Sequence, residues 1–455
     1  LKMTTIETQQ NEVKLTGKLG VFSLILMGIA AMSPNVIYLY AGIMPQMTGG
    51  MYSLTILVTA VVMFFSALSY ARMSKIYQKS GSVYVFAARS IGPKVGFVAG
   101  WAIIADYLLL PMVCYLSFGL YLNAFIPAIP VWVWVIIGVA ICAALSILGV
   151  QIMSSVNTFF TVIGIGFLLF TFAFIVAYVA KGGGAGTFFD LTAFYNPKTF
   201  VADNILMAAG IFACGFVGFD VISTMSEETK NPEKTVPKAI ILCCVISAVV
   251  FVIMAYVLQL AWPTGYKEMV DPNTGILEIF EHVGIGWVVP IFSILKAFTS
   301  LMCCLAGTNA VSRVLYNMGK EDFLPKKVFG YLSPKFKTPV WNIIIASLVG
   351  LLSIIFSDNL ATAASLISFG ALTGFAFTNF SCFMHYFVKS PEAKTGGRFL
   401  RYGVLPLFGV VCCIYLIFSL ATAAKVVGIV WIAIGIIYLG FKTKGFRENP
   451  KDLEL

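Results

Sequence analysis

The sequence Gly28-Ile-Ala-Ala-Met-Ser-Pro-Asn35 interrupts the first long apolar stretch of this 455-residue chain. Pro34 has no backbone N–H and its ring clashes with the preceding turn, so a helix through this stretch must break. A second interruption lies in residues 211–224 (IFACGFVGFDVIST), where glycines stand at positions 215 and 218. Unwound backbone at membrane depth is tolerated only where it is buried in protein or lines a cavity. The two breaks therefore predict the position of a central site.

The composition of the chain is that of a membrane protein. Hydrophobic residues make up 59% and charged residues 11%, with a mean hydropathy of +0.93, whereas soluble domains carry ~25% charged residues. A membrane-spanning helix needs about 20 apolar residues, and the chain contains about twelve such stretches. They centre near Leu26, Val61, Leu108, Gly138, Phe167, Ala213, Ile246, Thr299, Leu348, Ala371, Leu407 and Ile432. The predicted fold class is an all-α membrane protein, which excludes an ordinary globular enzyme.

The net charge of +10 follows from membrane topology. If the amino terminus is cytoplasmic, 25 of the 30 lysines and arginines fall in cytoplasmic segments, as the positive-inside rule requires. The chain is thus predicted to be multi-pass with both termini in the cytoplasm, and the charge does not indicate a nucleic-acid partner. Residues 1–18 lack the pattern of a cleaved signal and are predicted to be a cytoplasmic tail, as are residues 444–455.

Two isolated acids stand in almost wholly apolar surroundings, Asp106 in Trp101–Pro111 and Asp220 in the second break. A carboxylate at bilayer depth costs at least ~2.5 kcal/mol and usually marks an ion, proton or substrate path. The alternative is that each acid caps a broken helix or satisfies a neighbouring polar group.

The remaining features argue against a cofactor, a metal or catalysis. All ten cysteines fall in apolar spans, and none has ligand spacing with His282 or His385, so they are predicted to be small apolar fillers. No catalytic triad, HExxH, dinucleotide or Walker motif is present in the sequence. The basic segment Lys75–Lys94 fits either a short interfacial or re-entrant helix or a simple anchoring loop.

Several stretches carry a resemblance to a known family. Ser226–Ile240 (SEETKNPEKTVPKAI) and Gly96–Trp101 (GFVAGW) resemble the loop after helix 6 and the start of helix 3 in the amino acid–polyamine–organocation superfamily. Within it the chain is most similar in look to the bacterial putrescine importers, on the stretches Asp106–Met112, Gly218–Asp220, Ser312–Gly319, Phe329–Tyr331 and Ser368–Leu372.

The resemblance implies a LeuT-like fold of ten helices in a five-plus-five inverted repeat, followed by two peripheral helices. Residues 19–388 would then form the transport core and residues 389–443 the peripheral pair. It further implies a bacterial cell membrane, and a monomer or homodimer.

The resemblance also assigns site residues. Residues 30–35 look like the segment whose amides meet a substrate carboxylate in amino-acid members, and residues 214–219 like the segment whose carbonyls meet the amine, with Phe216 as a gate. Asp106 matches an acidic position in proton-coupled relatives, and Asp220 the acid that ends the second break. The predicted substrate-binding residues are Ala30, Met32, Ser33, Pro34, Asn35, Asp106, Tyr107, Cys214, Gly215, Phe216, Gly218, Phe219, Asp220, Gly307 and Thr308, and the predicted proton-coupling residues are Asp106, Asp220 and Lys296.

Four positions depart from the family pattern. Leu39 stands where polyamine importers would carry an aspartate, and Gly164 where some proton-coupled relatives carry a lysine. Met302-Cys303-Cys304 replaces the Ser/Thr pair of sodium-coupled members, which disfavours sodium. Lys296 has no family counterpart and either extends outward along its apolar stem or pairs with a carboxylate as a charge of the site.

These observations predict a proton-coupled importer of a small amine or amino acid that works by alternating access in the lipid bilayer. An antiporter that exchanges a precursor for its decarboxylated product would have the same sequence features. A substrate-sensing receptor would need a signalling domain. A membrane enzyme would need a set of catalytic residues, and a channel would need a ring of charges or carbonyls around its pore.

Overall fold

The computed structural model describes residues 19–78, 82–149, 153–320, 324–357, 359–389 and 397–448. Within these ranges the ordered structure is helical, apart from an isolated bridge that joins Leu19 to Thr229. The predicted amino-terminal tail, residues 1–18, lies outside the described residues, as does the predicted carboxy-terminal tail beyond residue 448.

Ten helices in the described ranges are long and apolar enough to cross a membrane, and two shorter apolar helices accompany them. Each contains one of the centres predicted from the sequence, which confirms the all-α membrane fold class. In chain order they are α1 Val21–Leu39, α2 Tyr52–Ile76, α3 Pro93–Phe125, α4 Val131–Ile147, α5 Met153–Ala180, α6 Ala202–Thr224, α7 Pro232–Ala261, α8 Val289–Lys320, α9 Val340–Phe356, α10 Leu360–Val388, α11 Leu400–Ser419 and α12 Thr422–Lys442.

The connection between α2 and α3 contains a short helix, Ser82–Ser90. It packs against α3 and α10, and its Val83, Phe86 and Ala87 are buried. The basic segment predicted as either a short helix or an anchoring loop therefore includes a helix that contacts the helix bundle.

The helices of the bundle pack in long pairs. Helix α2 packs along α7, and α3 packs along both α8 and α10. Helices α11 and α12 both pack against α10, and α12 also reaches α3. That last contact is made by Trp101 and Trp431, whose rings stack at 4.9 Å. Each indole N–H donates to the backbone carbonyl of the other tryptophan at 2.9 Å.

Helix α1 breaks where Pro34 predicts it. Its first part ends at Met32 and its second part runs Val36–Leu39. Ser33, between them, has φ 53°, a left-handed conformation that side-chain-bearing residues rarely adopt. The turn is held by hydrogen bonds from the Ser33 N–H to the Ala30 carbonyl and from the Val36 N–H to the Ser33 carbonyl.

Helix α6 breaks over the predicted glycine-containing stretch. The α-helix Ala202–Phe212 tightens into the 3₁₀ turn Ala213–Phe216 and resumes as Val221–Thr224. Gly218 lies in the gap at φ 142°, and a Cβ at this position would lie 2.7 Å from the backbone nitrogen of Met32. Only glycine satisfies both conditions, so the breaks of α1 and α6 are in direct backbone contact.

Backbone groups freed by the α6 break are satisfied from α10. The Ser368 hydroxyl donates to the Ile211 carbonyl at 2.8 Å and accepts from the Cys214 N–H at 3.2 Å. Because an unsatisfied buried backbone group costs about 1–3 kcal/mol, this one side chain stabilises the unwound segment without water.

Candidate functional site

A cavity of about 280 Å³ lies at the two helix breaks. Its walls come from α1, α3, α5, α6 and α8, with one residue, Ile367, from α10. The side chains are mostly apolar, and the polar ones cluster on α3 and α8. Such a pocket, apolar with a few convergent polar groups, is typical of a small-molecule site.

Ten of the predicted site residues line this cavity and six do not. The lining residues are Ala30, Met32, Ser33, Pro34, Asn35, Tyr107, Cys214, Gly218, Lys296 and Gly307. The residues that lie outside the lining are Asp106, Gly215, Phe216, Phe219, Asp220 and Thr308. The two breaks therefore meet the cavity directly, whereas both predicted carboxylates lie behind its wall.

Phe216, the predicted gate, is fully buried beside the cavity. Its ring makes edge contacts with Phe212 at 6.1 Å and Phe251 at 5.5 Å. Phe219 stacks on Phe375 at 5.2 Å. Both rings therefore pack against neighbouring phenylalanines, and the gating role of Phe216 stays a prediction.

Asp220 is held by the break in which it lies. Its Oδ1 accepts a hydrogen bond from the Gly218 N–H at 2.9 Å, and its carbonyl accepts from the Ser223 N–H and hydroxyl. The side chain is 3% exposed. The local role considered from the sequence, an acid that satisfies neighbouring polar groups at a broken helix, describes this contact.

Asp106 is buried on α3 in a different situation. Its Oδ1 has no hydrogen-bond partner among the described residues, although the side chain is only 3% exposed. Helix α10 packs tightly beside it, since a Cβ on Gly370 would lie 2.9 Å from the Asp106 nitrogen. A buried carboxyl oxygen without a partner is rare in native proteins and calls for a functional explanation.

Lys296 points into the cavity. Its side chain is 6% exposed, and its Nζ donates to the Asn35 backbone carbonyl at 3.3 Å. The ammonium therefore bridges α8 to the break in α1 and does not extend outward. No described carboxylate forms an ion pair with it.

Several residues that line the cavity were not predicted from the sequence to be site residues. Ser300 and Cys303 follow Lys296 by one and two helical turns and share its face. The Ser300 hydroxyl bonds the Ser117 hydroxyl of α3 at 2.9 Å. The helical spacing from Lys296 could have identified the α8 residues, whereas Ser117 gave no signal because its partner is distant in sequence.

Three free cysteine thiols lie at the site. Cys114, Cys214 and Cys303 line the cavity, and the Cys214 Sγ lies 3.0 Å from the Tyr40 hydroxyl. In the described parts of the chain no group of three histidine, cysteine or acidic residues is placed to hold a metal ion.

Comparison with known proteins matches almost the whole chain. The family described as "Amino acid permease" matches residues 19–441. The low-affinity putrescine importer PlaP of Escherichia coli K12 is 35% identical over 443 residues, which cover 97% of this chain and 96% of that protein.

Two Bacillus subtilis proteins are similar over comparable lengths. The branched-chain amino acid permease BcaP is 25% identical over 469 residues, covering 98% of this chain and 97% of that protein. The methylthioribose transporter is 23% identical over 471 residues, covering 97% of each. All three relatives are named as transporters and come from bacteria.

Proposed function

This chain belongs to the amino acid permease family, and we propose that it imports a small amine-bearing solute, an amino acid or a polyamine such as putrescine, by proton symport with alternating access. Membership confirms the resemblance to the amino acid–polyamine–organocation superfamily and the prediction that the chain is a multi-pass transporter, not an enzyme.

The proposal includes the LeuT-like arrangement, with helices α1–α5 and α6–α10 as inverted repeats and α11 and α12 at the periphery. It is supported by the interruption of α1 and α6, which are five helices apart and would occupy corresponding places in two such halves. Both breaks border the same cavity. The proposed orientation has both termini in the cytoplasm, on the charge bias of the sequence.

The proposed proton coupling is supported by one observation. The Asp106 Oδ1 has no hydrogen-bond partner among the described residues. Burial disfavours an unpaired charge, so a carboxyl in this position would hold a proton while it is buried and release it in a state that exposes it to water. Asp220, which is also buried at 3% exposure, is the proposed second member of the relay. Lys296 would add a positive charge whose influence on both acids varies with the movement of α8.

Alternating access is supported by the contact between the breaks. Because Gly218 touches the Met32 backbone, α1 and α6 cannot shift independently at this level. A rigid-body movement of this pair against α3 and α8 would open the cavity first to one side and then to the other, as in transporters built on discontinuous helices.

The test is uptake by purified protein in proteoliposomes that contain a pH-sensitive dye. Addition of putrescine or L-leucine outside should acidify the interior, and an imposed inward proton gradient should drive accumulation that a protonophore abolishes. Uptake without proton movement would contradict symport. If uptake occurs only with vesicles preloaded with a second amine or amino acid, the protein is the exchanger considered as the alternative.

The matched control for substitutions of Asp106 and Asp220 replaces an acid outside the membrane-spanning helices. Asp190 caps a short turn by accepting from the Thr192 N–H at 2.9 Å, so Asp190→Asn should transport protons and solute as the unmodified protein does. Loss of coupling in this variant would mean that the assay reports stability instead of proton transfer.

A further inference from the structure

The cavity has an uneven charge. Among the described residues that line it, Lys296 carries a formal charge, and no aspartate or glutamate faces the same space. The two acids of the neighbourhood, Asp106 and Asp220, lie outside the lining. The formal charge that a solute encounters among the described lining residues of this cavity is therefore positive.

The ammonium of Lys296 has one hydrogen-bond acceptor among the described residues. It carries three N–H donors, and the backbone carbonyl of Asn35 takes one of them at 3.3 Å. Since a buried charge is costly unless it is paired, a cavity that holds such an ammonium favours an anionic partner.

Hydroxyl groups adjoin this ammonium. Ser300 lies one turn further along α8, and its hydroxyl is hydrogen-bonded to that of Ser117 on α3 at 2.9 Å. Both serines line the cavity. Either hydroxyl can rotate to donate a bond, so an oxygen anion at Lys296 would find a second donor without any backbone movement.

We propose that Lys296 binds the carboxylate of the transported solute, with Ser117 and Ser300 as auxiliary donors, and that the substrate class is therefore amino acids and not diamines. The inference rests on the proposed transport function and narrows its substrate. The α-amino group would then lie toward the break of α6, which borders the same cavity at Cys214 and Gly218.

A diamine fits this arrangement poorly. A second ammonium beside Lys296 would experience like-charge repulsion, and repulsion is strong in a low-dielectric cavity. Leu39, which also lines the cavity, supplies no carboxylate to offset it. The 35% identity to a putrescine importer thus coexists with a cavity whose charge is suited to a different solute class.

The test compares compounds that differ only by a carboxylate, namely L-ornithine with putrescine and L-leucine with 3-methylbutylamine. Binding is measured as stabilisation of the purified protein against heating. In the unmodified protein one acid should bind at least about tenfold more tightly than its amine, which corresponds to about 1.4 kcal/mol. In Lys296→Met, which keeps the apolar stem, the ratio should fall to about twofold or less because the charge-assisted bond is lost.

Lys425→Met is the matched control. The Lys425 ammonium also donates to a backbone carbonyl, that of Phe418 at 2.9 Å, but it lies on α12 and does not line the cavity. This variant should keep the full preference for the acid. If Lys296→Met does not fold, Lys296→Gln retains an N–H donor for Asn35 and replaces it.

Equal or tighter binding of the amines by the unmodified protein overturns the proposal, as does an unchanged ratio in the Lys296 variant or a lack of stabilisation by either acid. Uptake into proteoliposomes separates this outcome from failure of the proposed function. Preferential uptake of putrescine would refute the role of Lys296 and leave transport intact, whereas the absence of uptake for all four compounds would refute transport itself.

Discussion

The ammonium of Lys296 donates to the backbone carbonyl of Asn35 across 3.3 Å, and so links the first third of α8 to the unwound part of α1. Asn35 is itself closely packed, because a Cβ on Gly164 of α5 would lie 2.2 Å from its amide nitrogen. A side chain larger than glycine at position 164 would therefore require the Asn35 amide group to move.

Asp220→Asn should abolish proton-driven accumulation while expression and folding persist. Asparagine keeps an Oδ1 that can accept from the Gly218 N–H, so the substitution removes the charge and retains the bond. Asp220→Ala would in addition leave that N–H unsatisfied and should destabilise the protein by about 1–3 kcal/mol. Thermal unfolding separates the two effects, and normal pH-dependent uptake by Asp220→Asn would remove this acid from the mechanism.

Asp106→Asn should uncouple uptake from the proton gradient with little loss of stability, because the Asp106 Oδ1 has no partner to lose. Downhill exchange of labelled solute should persist, whereas accumulation driven by external acidification should fall at least about tenfold, as expected when a required proton site is lost. The measurement is uptake against external pH at a clamped membrane potential. A pH profile identical to that of the unmodified protein would assign Asp106 a purely structural role.

Transport should be indifferent to sodium. The family position that supplies hydroxyl ligands in sodium-coupled members is occupied here by Met302-Cys303-Cys304, and the Cys304 thiol is directed at the Pro111 carbonyl at 3.7 Å. Uptake is compared with sodium or choline outside, at fixed pH and membrane potential. Stimulation by the sodium gradient would contradict this prediction directly.

Gly218→Ala should destabilise the protein by at least about 2 kcal/mol and abolish transport. The added Cβ would lie 2.7 Å from the Met32 nitrogen, in a conformation that alanine rarely adopts. Gly166→Ala is the control, since nothing lies within 4 Å of its Cβ position. Its effect should be neutral or slightly stabilising, and equal losses in the two variants would show that the contact between the breaks is unimportant.

Solute should protect Cys303 from alkylation. Its thiol lines the cavity and is half-buried, so a small maleimide can reach it only when the cavity is open and empty. Labelling is measured by peptide mass with and without solute. Cys412, half-buried on α11 and absent from the lining, should be labelled to the same extent in both conditions. Protection of Cys412 alone would place the solute elsewhere.

Much of this architecture was accessible from the sequence because it depends on local chemistry. Pro34 and Gly218 have conformational effects that hold in any surroundings, and both breaks appear where these residues predict them. The twelve predicted apolar stretches likewise coincide with the ten long apolar helices and the two shorter ones of the described residues. The direction of Lys296 was not accessible, since it depends on the rotation of α8 against its neighbours. For the same reason the sequence could not reveal that Asp106 and Asp220 lie behind the cavity wall.

The paired indoles of Trp101 and Trp431 give α12 a role in fixing the rotation of α3. Two reciprocal hydrogen bonds and a ring stack resist twisting of α3 about its own axis. Asp106 lies little more than one turn beyond Trp101 on that helix. The contact with α12 therefore helps to fix the direction in which the Asp106 carboxyl points. A substitution in α12 that removes this contact would therefore change the orientation of the Asp106 carboxyl before it lowers the stability of the protein.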